Sequence, residues 1–286
     1  MNAFLKFVLV ILVAALVSYG VAQRAMPVVE TKETAFQRVL RTNVIRCGYY
    51  VFPPVTYRDL STGKLSGMSV DMMETIARKA GMTVEWTQEV SFGNWQMELD
   101  AGRFDIACTP NWPTTALGRK VLFSKPMMYS PIYVIGREGD TRFQTMADVN
   151  RPETRISTHE ANEIYYLIKE LLPNATVITL PQNAEGIQPV LDVMAGKADL
   201  VVSDRNQLAQ WNPKNPDKKL AILAGGERLK LMPFTFAVKA GENDLNNFLN
   251  NALDDMLATN AMQNMLDKWM EQKGVFWLPA LPAAAQ

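Results

Sequence analysis

The sequence predicts an α/β fold in which two similar lobes face each other across a cleft, and three observations carry that prediction. The first is the stretch Leu99 to Pro131. There Leu99 closes a helix, Gly102 suits a left-handed C-cap, and Arg103 complements the negative helix end. The apolar run Phe104 to Cys108 follows as a buried strand, and Thr109, Asn111, Trp112, Thr114 and Thr115 fall at its carboxyl end. In open α/β sheets ligands gather at that edge. The second observation is an echo: Ala195-Gly196-Lys197-Ala198-Asp199 repeats Ala101-Gly102-Arg103-Phe104-Asp105, and the strand Leu200-Val201-Val202 delivers Ser203, Asp204 and Arg205. The third is length, since 286 residues leave room for about two domains.

The elements follow in order. Phe7 to Val17 is an unbroken apolar run behind Lys6, and Gly20 and Ala22 offer small residues for cleavage, the layout of a secretory signal. An uncleaved membrane anchor over residues 7–22 competes with it, although the run is slightly short for a span. Either arrangement puts the folded part outside the cytoplasm. No cysteine precedes Cys47, which excludes a lipid-modified N-terminal cysteine. Residues 23–34 read as a polar linker, and Thr34 to Arg41 as a short amphipathic helix with Phe36, Val39 and Leu40 inward. Val44 to Gly48 is a strand that Pro53-Pro54 forbids from continuing. Gly63 and Gly67 frame a turn. Ser69 is the expected N-cap of a helix whose apolar face is Met72, Met73, Ile76, Ala77 and Ala80, closed by Gly81. Met82, Val84 and Trp86 alternate with Thr83, Glu85 and Thr87 as a half-buried strand, and Asn94 to Ala101 is the helix that feeds the Leu99 stretch.

Ser124 to Gly136 is an extended segment rich in aromatics and proline. Arg155 to Thr158 is a strand, and Glu160 to Leu172 a helix with Ile164, Leu167, Ile168 and Leu171 inward, stopped by Pro173. Thr176 to Leu180 is a strand, Ile187 to Ala195 a helix, and Met232 to Lys239 an alternating strand. Two apolar helical stripes close the fold, Leu245 to Leu257 and Met262 to Met270. A terminal tail follows Gly274.

Composition narrows the function. Hydrophobic residues at 48% and charged residues at 20% are ordinary for a soluble globular chain. With 29 cations against 29 anions there is no electrostatic footprint for nucleic acid. There is no nucleophile elbow, no Cys-x-x-Cys pair and no phosphate-cradling glycine loop, so no cofactor or metal is implied. His159 is the sole histidine.

Four stretches together resemble a known family. Val44 to Tyr57 (VIRCGYYVFPPVTY), Gly63 to Gly81 (GKLSGMSVDMMETIARKAG), Ala101 to Pro126 with its Thr-rich loop and Phe-Ser-x-Pro, and Gly196 to Asp204 are similar to the bacterial extracellular solute-binding proteins of family 3, the polar amino acid type. The resemblance spans roughly residues 35 to 273 and implies a type II periplasmic-binding-protein fold joined by two crossover strands. It divides the chain into a signal peptide or anchor (1–22), a linker (23–34), lobe 1 (35–130 and 234–273), lobe 2 (131–233) and a tail (274–286). Two crossovers imply a hinge and closure around a ligand. Cys47 and Cys108 fall on strands that are neighbours in this family, which leaves open both a disulfide and two buried thiols.

The resemblance also implies the site. Asp204 falls where an aspartate neutralises a ligand's α-ammonium, with a turn cap as its plain alternative. Tyr49, Phe52 and Phe92 match positions that pack ligand side chains or, equally, the core. Thr109, Asn111, Trp112 and Asn162 belong to the strand-end and helix-end segments that hold ligand. His159, with Glu160, is expected to open a helix at the cleft, either solvated or touching ligand. The family's carboxylate-gripping arginine falls at Leu117, with Arg119 two residues displaced. Pro110 and Trp112 replace the carboxylate cradle, and Ala161-Asn162 replaces a Gly-Thr pair. The implied ligand is therefore an amine, a modified amino acid or a small aromatic cation, for which Trp112 offers a face.

The expected function is capture of a small polar or cationic solute in the periplasm by a monomer, for the permease of an ABC transporter, with no cofactor and with membrane contact only through the N-terminal segment. A dehydratase-like enzyme using Glu160 or Glu163 with His159 is one rival. A membrane-tethered sensor or scaffold module is another. The exported chain is expected to begin near Gln23 or to retain residues 7–22 as an anchor. Intact-mass analysis separates the two, and a cytoplasmic protein with an unprocessed N-terminus contradicts both.

Overall fold

In the computed structural model, which describes residues 2–25, 33–270 and 278–279, the same arginine–aspartate staple fastens each lobe. Asp105 accepts from the Arg46 backbone N–H at 2.8 Å and from its Nη2 at 2.9 Å, while the Asp105 amide donates back to the Arg46 carbonyl at 2.9 Å. Asp199 treats Arg155 in the same way, at 3.0 Å from the backbone N–H, 3.1 Å from Nη2 and 2.8 Å through its own amide. Gly102 and Gly196, at φ 72° and 74°, end the helices that precede the two aspartates. The five-residue echo is thus a repeated device that locks a strand's register to that of its parallel neighbour. Burial pushes the Asp199 carboxyl up, but Arg155 and Arg142 outweigh it and hold the group below the usual carboxylate range.

Helix α1 (Ala3–Ala25) stands as a separate unit with large apolar side chains such as Phe4, Phe7 and Leu16 exposed. It continues past Ala22 into the expected linker, and residues 26–32 lie outside the described residues. Among the described residues no helix is long and apolar enough to cross a membrane.

The main unit runs α2 (Ala35–Thr42), β1 (Val44–Tyr49), β2 (Tyr57–Arg58), β3 (Leu65–Ser66), α3 (Met68–Lys79), β4 (Thr83–Glu89), α4 (Trp95–Asp100), β5 (Ile106–Asn111), β6 (Val121–Phe123) and β7 (Met128–Arg137). It continues with α5 (Met146–Val149), β8 (Arg155–His159), α6 (Glu163–Leu171), β9 (Thr176–Leu180), α7 (Gln188–Met194), β10 (Leu200–Asp204), α8 (Asn206–Trp211), β11 (Leu220–Ile222), β12 (Arg228–Lys239), α9 (Asn243–Leu257) and α10 (Ala261–Trp269). Strand β13 (Leu278–Pro279) pairs with β7; the rest of the tail lies outside the described residues.

The sheet order is β4-β1-β5-β12-β7-β10-β8-β9. Strands β1, β4 and β5 are parallel in one lobe, and β8, β9 and β10 in the other. Antiparallel β12 and β7 join them. Side chains alternate across each half-sheet, so both faces are covered. In lobe 1, Ile106 and Cys108 face α3, α9 and α10 through Met72, Leu249 and Leu266, while Ala107 and Ala237 face Trp95, Leu99 and Phe104. In lobe 2, Ile156, Leu200 and Val202 meet Leu167 and Ile168, while Ile135 and Val201 meet Val190 and Val193.

Several sequence expectations change. Cys47 and Cys108 form a disulfide between neighbouring strands β1 and β5, which rules out the two-thiol reading. Gly67, not Ser69, stands at the N-cap of α3, and no side chain caps it; Ser69 is buried inside the first turn. Strand β5 extends through Asn111, so Thr109 and Asn111 are strand residues rather than loop residues. His159 ends β8 instead of opening a helix, and α6 starts at Glu163, not Glu160. The cause is local: Ala161 takes φ 57°, which breaks helical continuity, and the Asn162 side chain caps α6 by accepting from the Tyr165 N–H at 2.7 Å.

The disulfide spans 61 residues of sequence, for which loop-closure entropy contributes about 4 kcal/mol. Reducing it should lower the melting temperature by roughly 8–16 °C at this domain size. A melt of the Cys47→Ser/Cys108→Ser variant with and without reductant is the control. A wild-type melting temperature that does not respond to reductant would show that the bridge is not formed in solution.

Candidate functional site

A cavity of about 110 Å³ lies where the carboxyl ends of β5, β8 and β10 converge. One wall carries Tyr50, Phe52, Phe92, Pro110, Asn111, Trp112 and Phe234. The facing wall carries Ser157, Thr158, His159, Asn162, Glu163 and Ile164, and behind them Gly186, Pro189, Val190, Val201, Val202, Ser203 and Gln207. Aromatic contacts stiffen the first wall: Tyr50 and Phe92 lie 4.2 Å apart between ring centroids, and Trp112 stacks on Phe234 at 5.6 Å. Phe92 also stacks against the His159 ring across the cleft at 6.4 Å.

The two walls are tied directly. Trp95 Nε1 donates to Glu163 Oε1 at 3.3 Å, Ser91 Oγ donates to the Gln182 carbonyl at 2.9 Å, and Asn206 Nδ2 donates to the Pro53 carbonyl at 2.7 Å, joined there by Gln210. Gly93 makes this approach possible. A Cβ there would sit 2.6 Å from the Gln182 Cα and 2.7 Å from its carbonyl oxygen.

Of the residues expected from sequence, Phe52, Phe92, Asn111, Trp112, His159 and Asn162 line the cavity; Tyr49, Thr109 and Asp204 do not. Strand alternation turns Tyr49 away from Tyr50, so that its hydroxyl meets Arg58. Thr109 is spent on the strand junction, where its Oγ1 accepts from the Tyr50 N–H at 3.1 Å. Asp204 is buried, and its carboxylate accepts from Ser130 Oγ at 3.0 Å and from the Asn206 N–H at 3.1 Å. Leu117 is packed with Trp95, Leu99 and Phe104, and Arg119 opens onto a separate groove beside Lys120 and Gln182.

The sequence reading missed Tyr50, and it considered Glu163 only as a part of an enzyme. The hidden signal for Tyr50 was the period of β1, which runs one residue beyond Gly48. Glu163 carried no signal, because a glutamate in a first helical turn is ordinarily solvated.

The polar groups of the cavity are incompletely partnered. Asn111 Nδ2 donates to the Thr109 carbonyl at 2.8 Å, and its buried Oδ1 has no partner; nor does Trp112 Nε1. His159 Nε2 contacts the carbonyls of Ala184 at 3.1 Å and Glu185 at 3.2 Å. Carbonyls only accept, so Nε2 carries the hydrogen and Nδ1 of the neutral ring is an acceptor. Burial lowers the basicity of that ring against the opposing pull of the two carbonyls. Burial also pushes the Glu163 carboxyl up to about 7, and raises the Tyr50 hydroxyl well above its usual value with Glu163 adding to the shift. Among the described residues no group of three or more His, Cys, Asp or Glu side chains could hold a metal ion.

Comparison with known proteins places this architecture. A Haemophilus influenzae protein named as a probable amino-acid ABC transporter-binding protein is 23% identical over 233 residues, covering 81% of this chain and 86% of that one. The L-cystine-binding protein TcyA of Bacillus subtilis is 22% identical over 271 residues, covering 94% and 97%. Among solved structures, an ancestral amino acid-binding protein described as a precursor of cyclohexadienyl dehydratase superposes with a TM-score of 0.68 at 22% identity, covering 83% of this chain and all of its own. The family model for bacterial extracellular solute-binding proteins, family 3, matches residues 45–272, and the chain belongs to that family.

Proposed function

We propose that this chain is an exported monomer that captures a small solute lacking an α-carboxylate between its two lobes, for delivery to the permease of an ABC transporter. The observation that carries this reading is the lining of the cavity: aromatic walls, hydrogen-bonding groups and one carboxyl, with no lysine or arginine among the described residues. A carboxylate taken out of water without a charged partner loses several kcal/mol, more than the other contacts of a small ligand offset. Cystine carries such carboxylates, so the family's transport role is taken here with a different ligand from that of the Bacillus relative.

The lobes divide at 130/131 and 233/234, beside the residues where β7 and β12 exchange partners. The bonds from Trp95 to Glu163 and from Asn206 to Pro53 are the contacts that hold the two lobes together across the cleft. The dehydratase-like reading has one observation in its favour, a carboxyl held near neutrality in the cavity. The missing cation weighs against it, because such a substrate is itself a carboxylate.

A thermal-shift panel of α-amino acids and small amines tests the ligand class. An amine present at one hundred times its dissociation constant adds about 2.7 kcal/mol, a rise of roughly 5–10 °C. Standard α-amino acids are expected to leave the melt unchanged, and a micromolar α-amino acid would overturn the reading. Closure has its own check. Gly93→Ala should weaken solute binding at least tenfold and enlarge the particle in small-angle scattering, because the lobes must part to clear the Gln182 backbone. Undiminished affinity in that variant would mean the lobes do not close at Gln182.

A further inference from the structure

We propose that Glu163 is the counter-charge for a cationic solute in this cavity, so that binding the cation expels a proton from the protein. The assignment rests on the preceding reading that the cavity is the solute site. Glu163 is 7% exposed and lies on the cavity wall, where its partners are the Trp95 indole and its own backbone amide. No cation pairs with it among the described residues, and a buried carboxyl that is not paired is held neutral rather than charged. Two further acceptors share the cavity: Asn111 Oδ1, unpartnered on a residue 2% exposed, and the Nδ1 of His159. Three acceptors on two facing walls suit a planar cation with several N–H donors, and the rings of Tyr50, Phe92 and Trp112 suit its faces.

Asp204, the residue the sequence favoured for this task, has its carboxylate turned to Ser130 and Asn206. Among the described residues Glu163 is the only acid that lines the cavity. Tyr50 stays protonated, and His159 is a neutral ring in the same cavity. At the far end of β8, Arg155 is occupied by Asp199. On α4, Asp100 pairs with Lys239 and Glu98 lies near Arg103. The remaining charged groups of α6, Lys169 and Glu170, are exposed.

The sign of the pH dependence follows from the burial. The Glu163 carboxyl titrates near 7 in the folded, empty protein and near 4.5 when unfolded. Its protonated form therefore supports the fold fully below the lower value, and that support fades as pH rises through 7. A cation needs the ionised form, so its affinity rises with pH up to about 7 and then levels.

Methylguanidinium and its neutral near-isostere N-methylurea are the probes, titrated calorimetrically at pH 6 and pH 8 in buffers of different ionisation enthalpy. Wild type should bind methylguanidinium at least tenfold tighter than N-methylurea at pH 8. Binding the cation should release nearly one proton at pH 6 and about a tenth at pH 8, with affinity about tenfold higher at pH 8. Glu163→Gln keeps an acceptor for the Trp95 indole and should fold. It should lose the preference for the cation, the proton release and the pH slope, and its unliganded melt should no longer fall between pH 5 and pH 7 relative to wild type. Equal binding of the two probes by wild type overturns the assignment and leaves the solute-binding reading intact. So does a proton release that survives in Glu163→Gln, which would mark His159 instead. Failure of both probes to bind, with an unliganded pH slope identical in the two proteins, overturns the assignment outright.

Discussion

Two antiparallel strands that each belong to both lobes set everything else in this molecule. β7 and β12 pair from Met128 opposite Phe234 to Tyr133 opposite Arg228. On either side of that ladder each strand takes partners from a single lobe: β12 pairs with β5 and β6, and β7 with β10 and β11. Backbone hydrogen bonds leave little freedom in register, because a one-residue slip would turn every side chain to the opposite face. The junction therefore decides which residues meet. Thr235 lies opposite Asn111, and Ile132 lies opposite Asp204, so the ends of β5 and β10 arrive at the same level. The cavity opens at that level because the strands stop there.

Each lobe reaches the junction as a rigid half. The Arg46–Asp105 and Arg155–Asp199 staples tie the entering strand to its neighbour at the end remote from the cavity. Charge-assisted bonds of this kind are stronger than neutral ones, and a doubly bonded carboxylate resists sliding. In lobe 1 the Cys47–Cys108 bridge adds a covalent link between the same two strands. Lobe 2 has no counterpart to it among the described residues. Both staples take a second arginine, Arg38 on Asp105 and Arg142 on Asp199. Rigid halves on a two-strand junction suit hinge closure, because the strain of motion falls on few backbone angles.

The cavity is built at a cost to stability. Asn111 Oδ1 and Trp112 Nε1 are buried without partners, and Glu163 is buried without a cation. Each such group forfeits a kcal/mol or more relative to a satisfied one. Apolar residues of the same size would make a more stable protein with nothing to recognise a solute. The groups left wanting partners, an acceptor at Asn111 Oδ1 and a donor at Trp112 Nε1, define what a complementary solute would have to bring.

The sequence alone determined the class of fold, the order of elements and the repeat. Those depend on local signals: the period of Ile106 and Cys108 against Ala107, glycines at helix ends, and an aspartate two residues after an Arg or Lys that follows each of those glycines. Tertiary structure decided which neighbours in sequence face the cavity. Tyr50 faces it and Tyr49 does not, because β1 runs one residue past its expected end. Asp204 is drawn into bonds with Ser130 and Asn206, while Glu163 is carried inside by a helix that starts later than its pattern suggests. Such outcomes turn on an Ala161 in a left-handed conformation and on walls contributed by both lobes. Burial is a property of the assembled lobes rather than of any stretch of chain, so the charge and partner of each buried group become legible only once the lobes meet.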